Sequence, residues 1–193
     1  MVKFVLGSGS KIRLQLLKQI HYEPDIICPA DIDETPQKKE KPLEYVKRMA
    51  ERKAETINQK YYGNVILCAD TIVNYQTRII QKPKNNEEIR ELLKFYSNKN
   101  IKLITAIYMI TSDNKRIKKT SITTLKFKNM SKLDIDEYIK SNNGIGNSGG
   151  IAIESMLDSF IIKIIGSYSN IMGLPLYETR NMLISAGIKS RLQ

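Results

Sequence analysis

The run Val65-Ile66-Leu67-Cys68-Ala69 constrains the fold more than any other part of the chain. Five apolar residues without polar alternation leave no solvent face, so the run reads as a central strand buried on both sides. Such a strand needs helices above and below it, which points to an α/β protein. The flanking pattern supplies them. Phe4-Val5-Leu6 is a short apolar run closed by Gly7-Ser8-Gly9-Ser10, and Ile12, Leu16, Leu17 and Ile20 follow at helical spacing. Ile26-Ile27-Cys28 reads as a second strand, residues 30–42 as a polar loop, and Leu43 to Lys60 as a long helix.

The second half has a different rhythm. Arg78-Ile79-Ile80 is a short strand and Asn86 to Tyr96 a helix. Residues 101–110 and 116–128 are β-rich and meet at Ser112-Asp113-Asn114, which predicts a hairpin. Ser131 is placed to cap a helix over Asp134 to Lys140. A glycine-rich stretch covers 144–150, Phe160 to Ile165 reads as a strand, and 175–187 as a closing helix ended by Gly187. No repeat or linker interrupts the chain, and 193 residues suit one domain. The expected fold is α/β with a mixed sheet, a single domain over 1–193, arranged in two lobes.

Composition removes several classes of function. Hydrophobic residues at 41% and charged residues at 26% argue against disorder. One histidine, His21, excludes multi-histidine metal sites and acid–base machinery. Cys28 and Cys68 lie forty positions apart without zinc spacing, so both are expected as buried free thiols in a reducing cytosol. The apolar run at the start is too short for a signal peptide, and Lys163 interrupts the greasiest stretch. A cytoplasmic protein that spans no membrane is expected. The net charge of +11 favours polyanionic ligands through its field. Lysine outnumbers arginine 23 to 8, however, and guanine readout in a duplex leans on the arginine fork.

Five segments can carry chemistry. Gly7-Ser8-Gly9-Ser10-Lys11-Ile12-Arg13 follows a strand and opens a helix, where free N–H groups and the positive helix end attract an anion. It is not a Walker loop. Asp31, Asp33 and Glu34 sit on a proline-flanked loop and can serve a hard divalent cation. Asp70 ends the apolar strand, and ligands of open α/β sheets bind at the carboxyl ends of strands. Lys53 lies near the apolar side of its helix, and Lys82 is held extended by Pro83. Gly149-Gly150, followed by Glu154, permits close approach of backbone to a ligand. Each alone has an ordinary reading: a serine cap, a solvated acidic loop, a turn-capping aspartate, surface lysines, a flexible loop.

Their joint order resembles the Maf family of nucleoside triphosphate pyrophosphatases, from Leu6 to Pro175. The matching pieces are Ser8-Gly9-Ser10 through Arg13 to Leu16-Leu17, Asp33-Glu34, Lys53-Ala54, Ala69-Asp70-Thr71, Lys82-Pro83, Thr105-Ala106, Gly149-Gly150 to Glu154, and Gly166-Ser167-Tyr168-Ser169-Asn170-Ile171-Met172-Gly173-Leu174-Pro175. The chain departs from the family pattern at Lys11 and Ile12, which replace Pro and Arg, at Ile101, which replaces His, and at Ser155, which replaces Gly.

The resemblance implies an elongated twisted sheet flanked by helices, with two lobes around a nucleotide cleft. It implies hydrolysis between the α and β phosphates, giving a nucleoside monophosphate and pyrophosphate. Asp70 would be the general base. Asp70 and Glu34 would hold a divalent ion, Mg²⁺ or Mn²⁺. Lys53 and Lys82 would neutralise phosphate oxygens. Ser8, Ser10, Lys11 and Arg13 would bind the triphosphate, and Thr71 and Glu154 would line the base. Glu154 matches branches that do not prefer dTTP and UTP. A homodimer is allowed, though no patch proves one.

Two rivals belong to other classes. A non-catalytic nucleotide-binding regulator of cell division would bind tightly without turnover. An RNA-binding module would use the run from Lys115 to Lys132, seven basic residues without an acid. There Ile122, Thr124, Lys126 and Lys128 alternate with Thr123, Leu125 and Phe127, the pattern of a half-solvated strand.

Overall fold

The computed structural model describes residues 2–192. In chain order the elements are β1 (Phe4–Leu6), α1 (Lys11–Gln19), β2 (Ile26–Ile27), α2 (Pro42–Lys60), β3 (Val65–Tyr75), β4 (Arg78–Ile80) and α3 (Asn86–Tyr96). Then follow β5 (Asn100–Ile110), β6 (Arg116–Phe127), α4 (Lys132–Lys140), β7 (Ile161–Ile165), α5 (Tyr168–Ile171) and α6 (Leu176–Ser185). Two short 3₁₀ turns, Ser148–Gly150 and Met156–Phe160, precede β7.

One mixed sheet joins the strands in the order β2-β1-β3-β5-β6-β7, with β4 attached to the far end of β3. β2, β1 and β3 are parallel; β5, β6 and β7 add antiparallel. β3 is central, and Val65 to Ala69 are all buried, as an apolar run without alternation requires. Its length departs from expectation. The strand does not stop before Asp70 but continues through Thr71-Ile72-Val73 to Tyr75. β-branched residues favour the extended chain, and a buried aspartate is tolerated inside a strand once a cation partners it. Asp70 is therefore mid-strand, opposite Ala106 of β5. It still lies beyond the carboxyl end of β1, which stops at Leu6 opposite Leu67.

Period-2 alternation divides β3 between two faces. Ile66, Cys68 and Ile72 pack with Val46, Met49, Ala50, Ala54 and Ile57 of α2. Those five follow helical spacing, and each large side chain so buried contributes roughly 1.5–3 kcal/mol. Val65, Leu67 and Ala69 pack on the opposite face with Leu16 and Leu17 of α1 and Met182 and Leu183 of α6. A third core gathers Val73 with α3, α4 and the ends of β5 and β6. The first two cores, on opposite faces of the sheet, make one lobe and the third makes the other, and β3 passes between the lobes near Asp70 and Thr71.

Two features lay outside the sequence reading. α5 is four residues long and too short for periodicity to register. Cys28 is half-buried rather than buried; Cys68 is buried, and both are free thiols. No helix among the described residues is long and apolar enough to cross a membrane.

Gly7 is fixed by space. A Cβ there would land on the Cys68 sulfur and lie 2.6 Å from Ile57 Cδ1. Gly7→Ala is expected to cost about 1–3 kcal/mol through overpacking. Cys68→Ala in the same chain should recover part of that loss. Denaturant melts of the two single variants and the double variant measure it; strictly additive losses would contradict the steric account.

Candidate active site

The site grows out of a gap in the sheet. β3 pairs with β1 over Val65–Leu67 and with β4 over Val73–Tyr75. Between them, the same edge from Cys68 to Ile72 has no strand partner. Exposed strand edges need donors, and side chains provide them. The Ala69 carbonyl accepts from Arg13 Nη1 at 2.8 Å, and the Thr71 carbonyl accepts from Ser148 Oγ at 3.2 Å. Two adjoining cavities of about 570 and 600 Å³ meet at this window and share Arg13, Thr71, Lys82 and Ser148.

On the α2 side stands a charged triad. Asp70, 8% exposed, points toward α2, and Lys53 Nζ donates to its Oδ1 at 2.7 Å. The same ammonium lies 2.7 Å from Glu34 Oε1. Burial works against the charged lysine, but the Asp70 charge and the hydrogen bonds to Asp70 and Glu34 outweigh it, so its pKa stands above the ordinary lysine value. Glu34 comes from the loop before α2 and its side chain is half exposed.

Three side chains on one face of α2 hold that loop. Tyr45 donates to the Glu34 carbonyl at 2.8 Å, Arg48 to the Thr35 carbonyl at 3.1 Å, and Arg52 to the Asp33 carbonyl at 3.5 Å. Arg48 is itself fixed by Glu40, with 2.6 Å contacts from Nε and Nη2. Burial, with the Asp70 and Glu34 charges, pushes the Tyr45 phenol up to about 12, so it remains a neutral donor. Asp31 and Asp33 do not join Glu34 in the cleft. Both are exposed, and Asp33 Oδ1 caps Thr35 N at 2.9 Å.

On the other face Ser8, Ser10 and Arg13 crowd the start of α1. Ser10 caps the helix by accepting from Arg13 N. The Arg13 guanidinium is largely consumed by the protein. Nε donates to Gly173 O at 2.8 Å, Nη1 to Ser8 Oγ at 3.1 Å and to Ala69 O, and Nη2 to Thr71 Oγ1 at 3.2 Å. Burial lowers its pKa, against the raising influence of the Asp70, Cys68 and Glu34 charges. Thr71 Oγ1 also meets Thr105 Oγ1 at 2.9 Å. Lys82 lines both cavities, while Glu154 lines the one on this face beside Ile12 and Ala152. Lys11 is exposed and lines neither.

Tyr45, Ser148 and the Gly173 carbonyl were not foreseen. Tyr45 had a signal, since it lies eight residues before Lys53 on the same helical stripe. Ser148 sits in the glycine loop beside Gly149, whose φ of +57° suits glycine and whose added Cβ would lie 2.7 Å from Val73. The loop can therefore press against β3.

The basic run of β6 is not a bare cationic surface. Lys115 pairs with Asp113, Arg116 with Glu55, Lys118 with Glu51 and Lys128 with Asp134. Acids from α2 and α4 thus neutralise much of the stripe that an RNA-binding reading would use.

Comparison with known proteins finds similar chains across nearly the whole length. A dTTP/UTP pyrophosphatase from Zymomonas mobilis is 42% identical over 183 residues, covering 95% of this chain and 91% of its own length. A dTTP/UTP pyrophosphatase from Rhodopseudomonas palustris is 40% identical over 195 residues, covering 98% and 94%. Among solved structures, a nucleoside-triphosphatase / dITP/XTP pyrophosphatase from Mycobacterium abscessus aligns over 67% of this chain and 76% of its own, with 13% identity and a TM-score of 0.43. The model of the family described as Maf-like protein matches residues 3–186, and the chain belongs to that family.

Proposed function

We propose that this protein hydrolyses nucleoside triphosphates to the monophosphate and pyrophosphate, with dTTP and UTP preferred. The observation that carries the reading is the shared ground of Asp70, Lys53, Glu34, Thr71 and Lys82 in one cleft, beside a helix start bearing Ser8 and Ser10. The names of the relatives support both the reaction and the bases. The family resemblance at Glu154 implies other bases, whereas the names of the relatives give dTTP and UTP, and release from a range of nucleotides decides between them.

Phosphoryl chemistry asks the protein for positioning and charge neutralisation more than for covalent work. Asp70, which Lys53 holds in the ligand-free site, orients water and accepts its proton. Lys82 approaches from the far lobe and offsets charge on the phosphates. Ser8, Ser10 and the amides at the start of α1 bind phosphate oxygens. Arg13 fixes Ser8, Thr71 and the Gly173 turn in register, and so shapes the cradle.

A divalent ion fits the residues present. Among the described residues no three His, Cys, Asp or Glu side chains form a cage. Asp70 and Glu34 instead offer two hard carboxylates that converge on one cation, the Lys53 ammonium. This matches the way Mg²⁺ is held, by one or two carboxylates together with substrate phosphates. When bound, such an ion neutralises phosphate charge and acidifies water. A cytoplasmic setting suits the two free thiols.

The test is pyrophosphate release from all canonical and several modified nucleoside triphosphates, with Mg²⁺, Mn²⁺ or EDTA. Release from dTTP and UTP above the rest, abolished by EDTA, is expected. Tight nucleotide binding without release from any member would favour the non-catalytic regulator.

A further inference from the structure

We propose that Lys53 is a resident cation that occupies the ground between Glu34 and Asp70 and keeps a divalent ion out until nucleotide arrives. The inference rests on the two-carboxylate site described above. It turns on the double contact of one ammonium, 2.7 Å from each carboxylate. The lysine is not a stray surface chain. Its side chain is 13% exposed, and it leaves a helix pinned to β3 by Ala50, Ala54 and Ile57.

A divalent ion approaching these oxygens meets a like charge at hydrogen-bond range. Even screened as in bulk water, this repulsion weakens its binding on the order of 10- to 10²-fold. Without the ammonium, two carboxylates would face each other, and they would attract a divalent ion.

Nucleotide removes the obstacle. Lysine has a flexible four-carbon stem and three donors, so Lys53 can exchange its carboxylates for phosphate oxygens. Lys82 and Lys84 line the same cavity, and among the described residues neither makes an ion pair. They hold the phosphates within reach. The carboxylates that Lys53 leaves are then open to the ion. Linkage makes the effect mutual: nucleotide tightens the ion by the factor with which the ion tightens nucleotide. Lys53 therefore has two roles, guarding the site when empty and neutralising phosphate when filled.

The experiment measures Mn²⁺ binding to the full chain by electron paramagnetic resonance, with and without a non-hydrolysable α,β-methylene triphosphate. Mn²⁺ held by the analogue alone is subtracted. Ligand-free wild type should bind weakly. Lys53→Met should bind Mn²⁺ at least ~10-fold more tightly while turning over more slowly, two changes of opposite sign that general damage would not produce. Lys53→Gln, which keeps a neutral donor between the carboxylates, should shift in the same direction if the Met variant does not fold. The analogue should tighten Mn²⁺ on wild type by ~10-fold or more, and on the variants by much less.

Equal Mn²⁺ affinity in ligand-free wild type and both variants would overturn the guarding role and leave the carboxylate site standing. No retained Mn²⁺ in any protein, with or without analogue, would overturn the site itself and the guarding role with it.

Discussion

Asp70→Asn is expected to lower kcat for nucleotide hydrolysis by roughly 10²–10⁴-fold with the fold retained. The aspartate is buried at the junction of the two lobes and held at 2.7 Å by Lys53. Asparagine keeps the shape and one acceptor oxygen for the ammonium. It loses the negative charge, and with it the ability to take a proton from water or to serve as a strong cation ligand. Lys53 retains Glu34 as a partner, so the stability loss should stay near 1–3 kcal/mol, below that of a buried ion left alone. Steady-state kinetics beside a thermal melt separates the two effects. Near wild-type turnover from a folded variant would place the base elsewhere.

Arg13→Lys should damage both stability and catalysis. The charge survives, but the fork does not. One ammonium cannot reach Gly173 O, Ala69 O, Ser8 Oγ and Thr71 Oγ1 together, and these four acceptors come from three separate segments. Leaving several of them unpartnered should cost about 2–4 kcal/mol. For a chain of this size that is a fall in melting temperature of roughly 5–15 °C. Loosening the cradle should lower kcat/KM by about 10²-fold. A lysine variant with wild-type melting and kinetics would mean the arginine matters only as a charge. Arg13 had been expected simply to grip the triphosphate; the arrangement of its donors gives it the larger task of joining α1, β3 and the turn before α6.

The elements legible in the sequence were those whose signal is local. Ser131 was readable as the cap of α4 from its neighbours alone, and in the structure its side chain accepts from Asp134 N. The stripe of α2 and the alternation of β6 are periodic and gave their buried faces directly. Misreadings arose where distant partners decide. Asp70 looked like the end of a strand because a charge breaks an apolar run, yet Lys53, seventeen positions away, lets β3 continue. The direction of the Arg13 head was invisible because its acceptors lie up to 160 positions along the chain. Lys11 was a candidate by position in the loop, but the first turn of α1 turns it to solvent. The residue types of the site were thus readable, while the division of labour among them depended on the window in β3, which only the pairing of β1 and β4 defines.

The central claim is cleavage between the α and β phosphates at this window. The most direct test is phosphorus NMR of the products from dTTP and UTP turned over by wild type and Asp70→Asn. Monophosphate and pyrophosphate in equal amounts from wild type, with conversion by the variant roughly 10²–10⁴-fold slower, is the result expected. Diphosphate and orthophosphate, or the same products at the same rate from the variant, would contradict it.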